Sequence, residues 1–169
     1  LLPAGMQDTG LVVIGSGVLG NELQRKAEQL GLGDRVRFLG RMGHPRMMHY
    51  LRGCAVVAIP SVVDRAGETE GMPTILPEAL AAGCKVVASR VAGIPDILVD
   101  GHNGWMADPA NASDLAAKLA HALSFAGRHV QQNAREKALA LDWPLIAGRY
   151  LGHFDHLLSQ DQGRFGKGL

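Results

Sequence analysis

The sequence predicts an α/β protein in which a Rossmann-like parallel sheet is flanked by helices. Short apolar runs alternate with longer segments whose apolar residues recur at helical spacing. The runs are continuously apolar, which is typical of strands covered on both faces. The 169 residues, 47% hydrophobic and 20% charged, are enough for one globular domain with its own core.

The first elements form a strand–helix–strand–helix series. Leu11–Ile14 is an apolar run, predicted to be a strand buried on both faces. The helix Asn21–Leu30 follows, with apolar residues every three or four positions, and Gly31 ends it. Val36–Leu39 is the second predicted strand. Pro45–Leu51 is the next helix, and proline is favoured at the first helical position.

The middle of the chain continues the alternation. Ala55–Ile59 is the third predicted strand, and a polar loop separates it from a helix at Ile75–Ala82. Thr74 is a candidate N-cap for that helix. Pro77 falls in the first turn, where its missing N–H has no helical partner. Val86–Ala88 then forms the fourth strand.

The last part of the chain is mostly helical. Ile94–Val99 is a short helix, and Gly104–Met106 is the fifth strand. Asn111 or Ser113 caps a helix that runs to Leu123. Two amphipathic helices, Arg128–Leu139 and Pro144–Leu158, complete the predicted domain, residues 1–159, and Gln160–Leu169 is predicted to be a disordered tail.

Composition excludes several classes of protein. The net charge of +1 disfavours a nucleic-acid-binding surface. The apolar runs are too short to span a bilayer. The two cysteines, Cys54 and Cys84, lie in no metal-ligand motif and are expected to be reduced thiols. The seven histidines show no metal-ligand spacing, so no metal site is predicted.

The segment Gly15–Gly20 has the G-x-G-x-x-G spacing of a dinucleotide-binding turn. A nicotinamide site also needs an acidic residue where the second strand ends, and this strand ends in Gly40-Arg41. Arg41 could bind a 2′-phosphate, so an NADP-dependent oxidoreductase is one alternative. The other interpretation is a tight strand-to-helix turn that lets the helix pack closely on the sheet.

A second motif, Glu70-x7-Glu78, surrounds the start of a predicted helix. Gly71 and Met72 allow the backbone to approach a ligand closely. The amides of Thr74 and Ile75 open the helix, and free amides at a helix start favour a diphosphate. Carboxylates can accept hydrogen bonds from sugar hydroxyls. The motif therefore favours a nucleotide sugar, and the alternative is a capped core helix with two solvated carboxylates.

The run EGMPTILPEALAAGCKVVASRVAGIPDILVDGHNGWMADP, preceded by GSGVLG and CAVVAIPS, resembles the C-terminal domain of family 4 glycosyltransferases of the GT-B fold. The resemblance covers residues 10–158. The stretch SVVDRAGETEGMP is similar to exopolysaccharide members of the colanic-acid type. The resemblance implies retaining transfer of a glycosyl group from a nucleotide-diphosphate sugar, with no metal or other cofactor, in polysaccharide biosynthesis. It also implies a cytoplasmic enzyme, peripheral at the inner face of the membrane in the full-length protein.

The resemblance also assigns roles to residues. Glu70 would be the catalytic carboxylate that binds sugar-donor hydroxyls near the reacting carbon, and Glu78 would bind the ribose. The remaining substrate-binding positions are the diphosphate-binding backbone at Gly71, Met72, Thr74 and Ile75, the nucleobase-binding Arg41 and Met42, and the closely passing Gly15 and Gly17.

The chain departs from the family pattern in several places. It lacks the upstream G-R-x-x-x-x-K run that neutralises the diphosphate, and it lacks the N-terminal domain that carries the site for an acceptor, which could be membrane-associated. Lys85 stands where the family more often has proline, and Pro73 removes one amide near the phosphates. We therefore expect the isolated chain to bind the sugar donor weakly and to be inactive.

The last predicted helix normally crosses toward the N-terminal domain in this fold. Its apolar face, here Leu145, Ile146, Tyr150 and Phe154, could be exposed, pack on its own sheet, or drive homodimerisation. Besides the glycosyltransferase and the oxidoreductase, a non-catalytic interaction domain that keeps only the fold is a third hypothesis.

Overall fold

The computed structural model describes Met6, residues 8–64 and residues 66–165, with side chains through Ser159. The described strands are β1 (Leu11–Val13), β2 (Val36–Phe38), β3 (Val57–Ile59), β4 (Val86–Ser89) and β5 (Trp105–Ala107). The described α-helices are α1 (Gly20–Gln29), α2 (His44–Gly53), α3 (Ile75–Ala81), α4 (Ile94–Ile97), α5 (Ala112–Ser124), α6 (His129–Leu139) and α7 (Trp143–Phe165), and Gly33–Arg35 adds one 3-10 turn.

All strand pairs are parallel, as predicted, but the strands form two sheets. One contains β1 and β2, with Leu11 opposite Val36. The other has the order β3–β4–β5, with Val57 opposite Val86. Among the described residues, β1 and β3 each pair along one edge only. The predicted alternation of strands and helices and the parallel strand pairing are therefore confirmed, and the described strands pair in two separate groups.

The hydrophobic core surrounds β4, the central strand of the larger sheet. Val86 and Ala88 belong to one cluster, with Leu76 and Leu80 of α3. Val87 faces the opposite side and packs in a second cluster. Successive residues of a strand point to opposite faces, so β4 has a packed layer on each side. All four of its residues are buried, and the three apolar ones, Val86–Ala88, are typical of a central strand in a parallel sheet.

The strand β1 differs from this pattern. Leu11 is 52% exposed and Val12 is 39% exposed, so the prediction of a strand buried on both faces is wrong. The helix α1, which follows β1, has no buried residue. The physical reason is that β1 has a single neighbouring strand among the described residues, and α1 contributes no buried residue to cover it.

One of the predicted helix caps is present in the structure and another is not. The Asn111 side chain accepts a hydrogen bond from the Asp114 amide at 3.0 Å, so Asn111 rather than Ser113 caps α5. Thr74 makes no side-chain cap, because its own backbone is already helical at φ −60° and ψ −26°. At the other end of α5, the Lys85 ammonium donates to the carbonyls of Ala122 and Phe125, at 2.9 and 2.5 Å.

The helix α7 is longer than predicted. It continues through Phe165, into the segment predicted to be a tail, because no proline follows Pro144 to end it. Gly163 lies within the helix and does not end it. Residues 166–169 lie outside the described residues. Leu145, Tyr150 and Phe154 are each more than half exposed, which supports the exposed alternative for this face. No described helix is both long and apolar enough to cross a membrane.

Candidate functional site

Four loops follow the carboxyl ends of β1 to β4, where ligands bind in open α/β sheets. Their residue ranges are 14–19, 39–43, 60–74 and 90–93. Hydrogen bonds join the first loop to the second and the third to the fourth. One further contact, between α2 and α3, connects the two pairs.

The glycine turn contacts the loop after β2. Gly15 has φ +120°, a conformation that favours glycine, and its amide donates to the Gly40 carbonyl at 2.8 Å. The Arg41 Nε donates to the Ser16 hydroxyl at 2.9 Å. This bond holds the guanidinium against the turn. The next residue, Met42, is half-buried. A Cβ added at Gly17 would meet no other atom within 4 Å, so the space around this position is open.

The loop that carries Glu70 is fixed at two points. The Ser61 hydroxyl donates to Glu70 Oε1 at 2.6 Å, which orients an exposed carboxylate. The Gly93 amide donates to the Gly71 carbonyl at 2.7 Å. A Cβ at position 93 would lie 2.9 Å from that carbonyl oxygen, so the approach requires glycine. Glu70 is therefore anchored from β3 on one side and from the loop after β4 on the other.

The helix α3 begins directly after this loop and presents Glu78 in its first turns. Thr74 is already helical, and the Leu76 amide donates to the Pro73 carbonyl at 3.0 Å, so the amides of Thr74 and Ile75 lie in the opening turn. Met72 precedes them and is 42% exposed.

Glu78 lies beside the start of α2. His44 Nε2 is 3.5 Å from Glu78 Oε1, and both side chains are partly exposed, so they form an ion pair when the imidazole is protonated. His44 is the first residue of α2, three positions after Arg41. The contact therefore brings Glu78 toward the loop that carries Arg41 and Met42.

The structure thus groups the predicted residues into two connected parts. Glu70, Gly71 and the α3 start form one part. The glycine turn and Arg41 form the other, and the pair His44–Glu78 connects them. No group of three potential metal ligands occurs among the described residues.

Sequence analysis did not identify three residues that position the site. Ser61 and Ser16 are the hydroxyl partners of Glu70 and Arg41, and His44 is the imidazole beside Glu78. Their only sequence signal is that each lies in or next to a loop at the carboxyl end of a strand. Serine and histidine are common in such loops, so the signal is weak without the structure.

Comparisons with known proteins identify the family of this chain. The family model described as glycosyl transferases group 1 matches residues 2–139. The amylovoran biosynthesis glycosyltransferase AmsK of Erwinia amylovora is 34% identical over 107 residues, which is 63% of this chain and 26% of the relative. The putative colanic acid biosynthesis glycosyltransferase WcaL of Salmonella typhimurium is 32% identical over 108 residues, 64% of this chain and 27% of the relative.

Solved structures share the fold. The Anabaena protein Alr3699/HepE in complex with UDP has a TM-score of 0.73 at 23% identity, and the match covers 94% of this chain and 42% of that protein. The chain spans about a quarter of the length of the two relatives above. The comparisons give no support to an oxidoreductase. The chain belongs to the family of group 1 glycosyl transferases and has the α/β fold of GT-B enzymes.

Proposed function

We propose that this chain is the sugar-donor-binding domain of a retaining, family 4 glycosyltransferase, which moves a glycosyl group from a nucleotide-diphosphate sugar to an acceptor. The observation that carries the proposal is the anchoring of two carboxylates around one helix start. Ser61 orients Glu70, and His44 lies beside Glu78. Both carboxylates remain accessible to a ligand, as sugar hydroxyls require.

The two glutamates have different tasks in this proposal. Glu70 accepts hydrogen bonds from the sugar near the reacting carbon, and its bond from Ser61 fixes the carboxylate orientation before the ligand arrives. Glu78 binds the ribose hydroxyls. Its contact with His44 connects the ribose position to the loop that carries Arg41 and Met42, along which the nucleobase lies.

The diphosphate lies at the backbone between the glutamates, at Gly71, Met72, Thr74 and Ile75. The Gly71 carbonyl is occupied by the Gly93 amide, so it does not point an unpaired acceptor at the phosphates. Gly15 and Gly17 pass close to the ligand without enclosing it. Fixed dipoles and cations stabilise the departing diphosphate in this mechanism, and no metal or other cofactor takes part.

The wider role of the enzyme follows from the relatives. The names of two of them refer to amylovoran and colanic acid biosynthesis, which supports polysaccharide biosynthesis as the process and the exopolysaccharide group as the subfamily. The acceptor, which could be membrane-associated, binds a separate N-terminal domain. We place the enzyme in the cytoplasm, peripheral at the inner face of the membrane, and expect the isolated chain to be inactive.

Calorimetric titration of this chain with UDP, GDP, ADP and NADP tests the proposal. We expect weak binding of one nucleoside diphosphate and none of NADP. Glu78→Ala should weaken that binding about tenfold or more, because hydrogen bonds to a charged group are each worth about 1.5–3 kcal/mol.

Glu136→Ala is the matched control, because it removes the same side chain from an exposed position on α6. It should bind the nucleotide as the unmodified chain does. Binding of NADP alone, or nucleotide binding that Glu78→Ala leaves unchanged, would contradict the proposal. Absence of binding by all four nucleotides would contradict donor binding by this chain.

A further inference from the structure

Two thiols meet behind the candidate site, at the ends of the helices that begin there. Cys54 follows the last residue of α2, and Cys84 lies in the turn between α3 and β4. Neither forms a disulfide, and they differ in access: Cys54 is exposed and Cys84 is buried. The proposed binding of a nucleotide sugar uses neither thiol.

The two sulfur atoms converge on one backbone oxygen. Cys54 Sγ lies 3.2 Å and Cys84 Sγ lies 3.1 Å from the carbonyl oxygen of Leu51. When Cys54 is ionised, the Cys84 thiol donates its single proton to the Cys54 sulfur in place of the Leu51 carbonyl. The sequence separates these cysteines by 30 positions, so this proximity comes from packing of α2 against the end of α3.

The environment favours a thiolate at the exposed sulfur. The hydrogen bond from Cys84, opposed by partial burial and assisted by a backbone hydrogen bond, lowers the pKa of Cys54 to about 7. The same hydrogen bond and burial raise the pKa of Cys84, while the charge of Arg135 opposes that rise. The Arg135 guanidinium lies over Gly83, where it would contact any added Cβ. The pair therefore has one reactive, accessible sulfur and one protected sulfur.

We propose that Cys54 and Cys84 form a peroxide-sensitive dithiol whose oxidation to a disulfide weakens nucleotide binding. The Cys54 thiolate attacks hydrogen peroxide: an S–O bond forms and the O–O bond breaks. Cys54 becomes a sulfenic acid, and the hydroxide that leaves takes a proton from solvent to become water. The Cys84 sulfur then attacks the Cys54 sulfur. The S–S bond forms, the S–O bond breaks, and a second water leaves with the Cys84 proton. Two electrons pass from the sulfurs to the peroxide.

The effect on the site follows from the two helices, and this step rests on the proposed function. The start of α2 carries His44 and α3 carries Glu78, which are in contact at 3.5 Å. A disulfide draws the other end of α2 toward the end of α3 and removes both thiol hydrogen bonds to Leu51. The geometry at His44 and Glu78 is thereby changed, and the affinity for the nucleotide falls.

Peroxide treatment of this chain, followed by intact-mass measurement, tests the chemistry. We expect a loss of about 2 Da that dithiothreitol reverses, as for one intramolecular disulfide. Trypsin should then yield the peptide Gly53–Arg65 linked to the peptide Ala66–Lys85. Cys84→Ala should give Cys54 sulfenic acid, a gain of about 16 Da, and no linked peptides. An absent link, or a link between two chains, would overturn the proposal.

Titration with UDP before and after oxidation tests the consequence. We expect about fivefold weaker binding after oxidation, within the usual range of coupling between two sites, with recovery on reduction. Cys54→Ser should bind UDP with the affinity of the unmodified chain, and peroxide should leave that affinity unchanged. A linked chain with unchanged UDP affinity would overturn the coupling. If neither state binds UDP, the titration is repeated with GDP and ADP. If none of the three binds, the proposed function fails, and the coupling is tested by amide exchange in α2, which should slow about fivefold on oxidation.

Discussion

The two parts of this molecule use the same kind of sequence with different results. Around β3, β4 and β5, strand residues such as Val86 and Val87 are fully buried, and α3 contributes Leu76 and Leu80. Around β1 and β2, Leu11 is 52% exposed. Every buried hydrophobic residue of the described chain lies at or after position 51.

An apolar run becomes part of the hydrophobic core only when it has strands on both edges and packed side chains on both faces. β4 has β3 and β5 beside it and a hydrophobic cluster on each face. β1 has β2 alone among the described residues. The candidate site takes its anchored glutamates from the packed part and its glycine turn from the part without a core.

Native-state hydrogen exchange should give the largest contrast between the two parts. The amides of β4 should exchange only with global unfolding, while those of β1 and β2 should exchange at least about a hundredfold faster through local opening. The measurement is exchange followed by NMR at neutral pH. Equal protection of β1 and β4 would show that the two parts unfold as one unit.

A pair of leucine truncations compares the same chemical change in the two parts. Leu76→Ala removes a fully buried side chain and should lower the free energy of unfolding by about 3 kcal/mol. Leu23→Ala changes a side chain that is 46% exposed on α1 and should cost less than about 0.5 kcal/mol. Urea unfolding monitored by circular dichroism measures both. Similar losses would contradict the difference in packing.

The smallest expected effect concerns Asp100, in the packed part. Partial burial opposes its ionisation, but the Met106 amide at 2.8 Å and the Lys118 ammonium at 3.0 Å outweigh burial and hold its pKa below the usual 3.8. A lowered carboxyl pKa stabilises the native state above pH 3.8, and this stability is lost as the pH falls through the lower, folded value. The contribution should be below about 1 kcal/mol, because the pair is partly exposed.

Urea unfolding at several pH values between about 2 and 6 measures this contribution. Lys118→Met should reduce the part of the acid-dependent loss that comes from Asp100, because the pKa of that carboxyl then returns toward its ordinary value. Asp100→Asn should remove that part. An unchanged pH dependence in both variants would contradict the assigned cause.

Much of the fold could be predicted from the sequence because the signals are local. Apolar runs marked the five strands, and Asn111 has the position and side chain of a helix cap. The exposure of Leu11 could not be predicted, because burial depends on which other strands lie beside it. Thr74 has the residue type of a cap, but a helical turn that already includes it leaves its side chain without that role.

The candidate site divides in the same way. Glu70 and Glu78 were visible as a spacing next to a helix start, and the structure places a partner beside each. Ser61 lies nine positions from Glu70 in the same irregular loop, and His44 begins the helix α2, so local patterns carried no sign of these contacts. The contact between Cys54 and Cys84 was missed for the same reason, since neither lies in a recognisable motif.

The ammonium of Lys85 joins the start of β4 to the end of α5. Helix ends leave carbonyls without intrahelical partners, and this side chain satisfies two of them at the end of α5. Replacing this lysine by proline would leave those carbonyls to solvent. That substitution would therefore loosen the attachment of α5 to the start of β4.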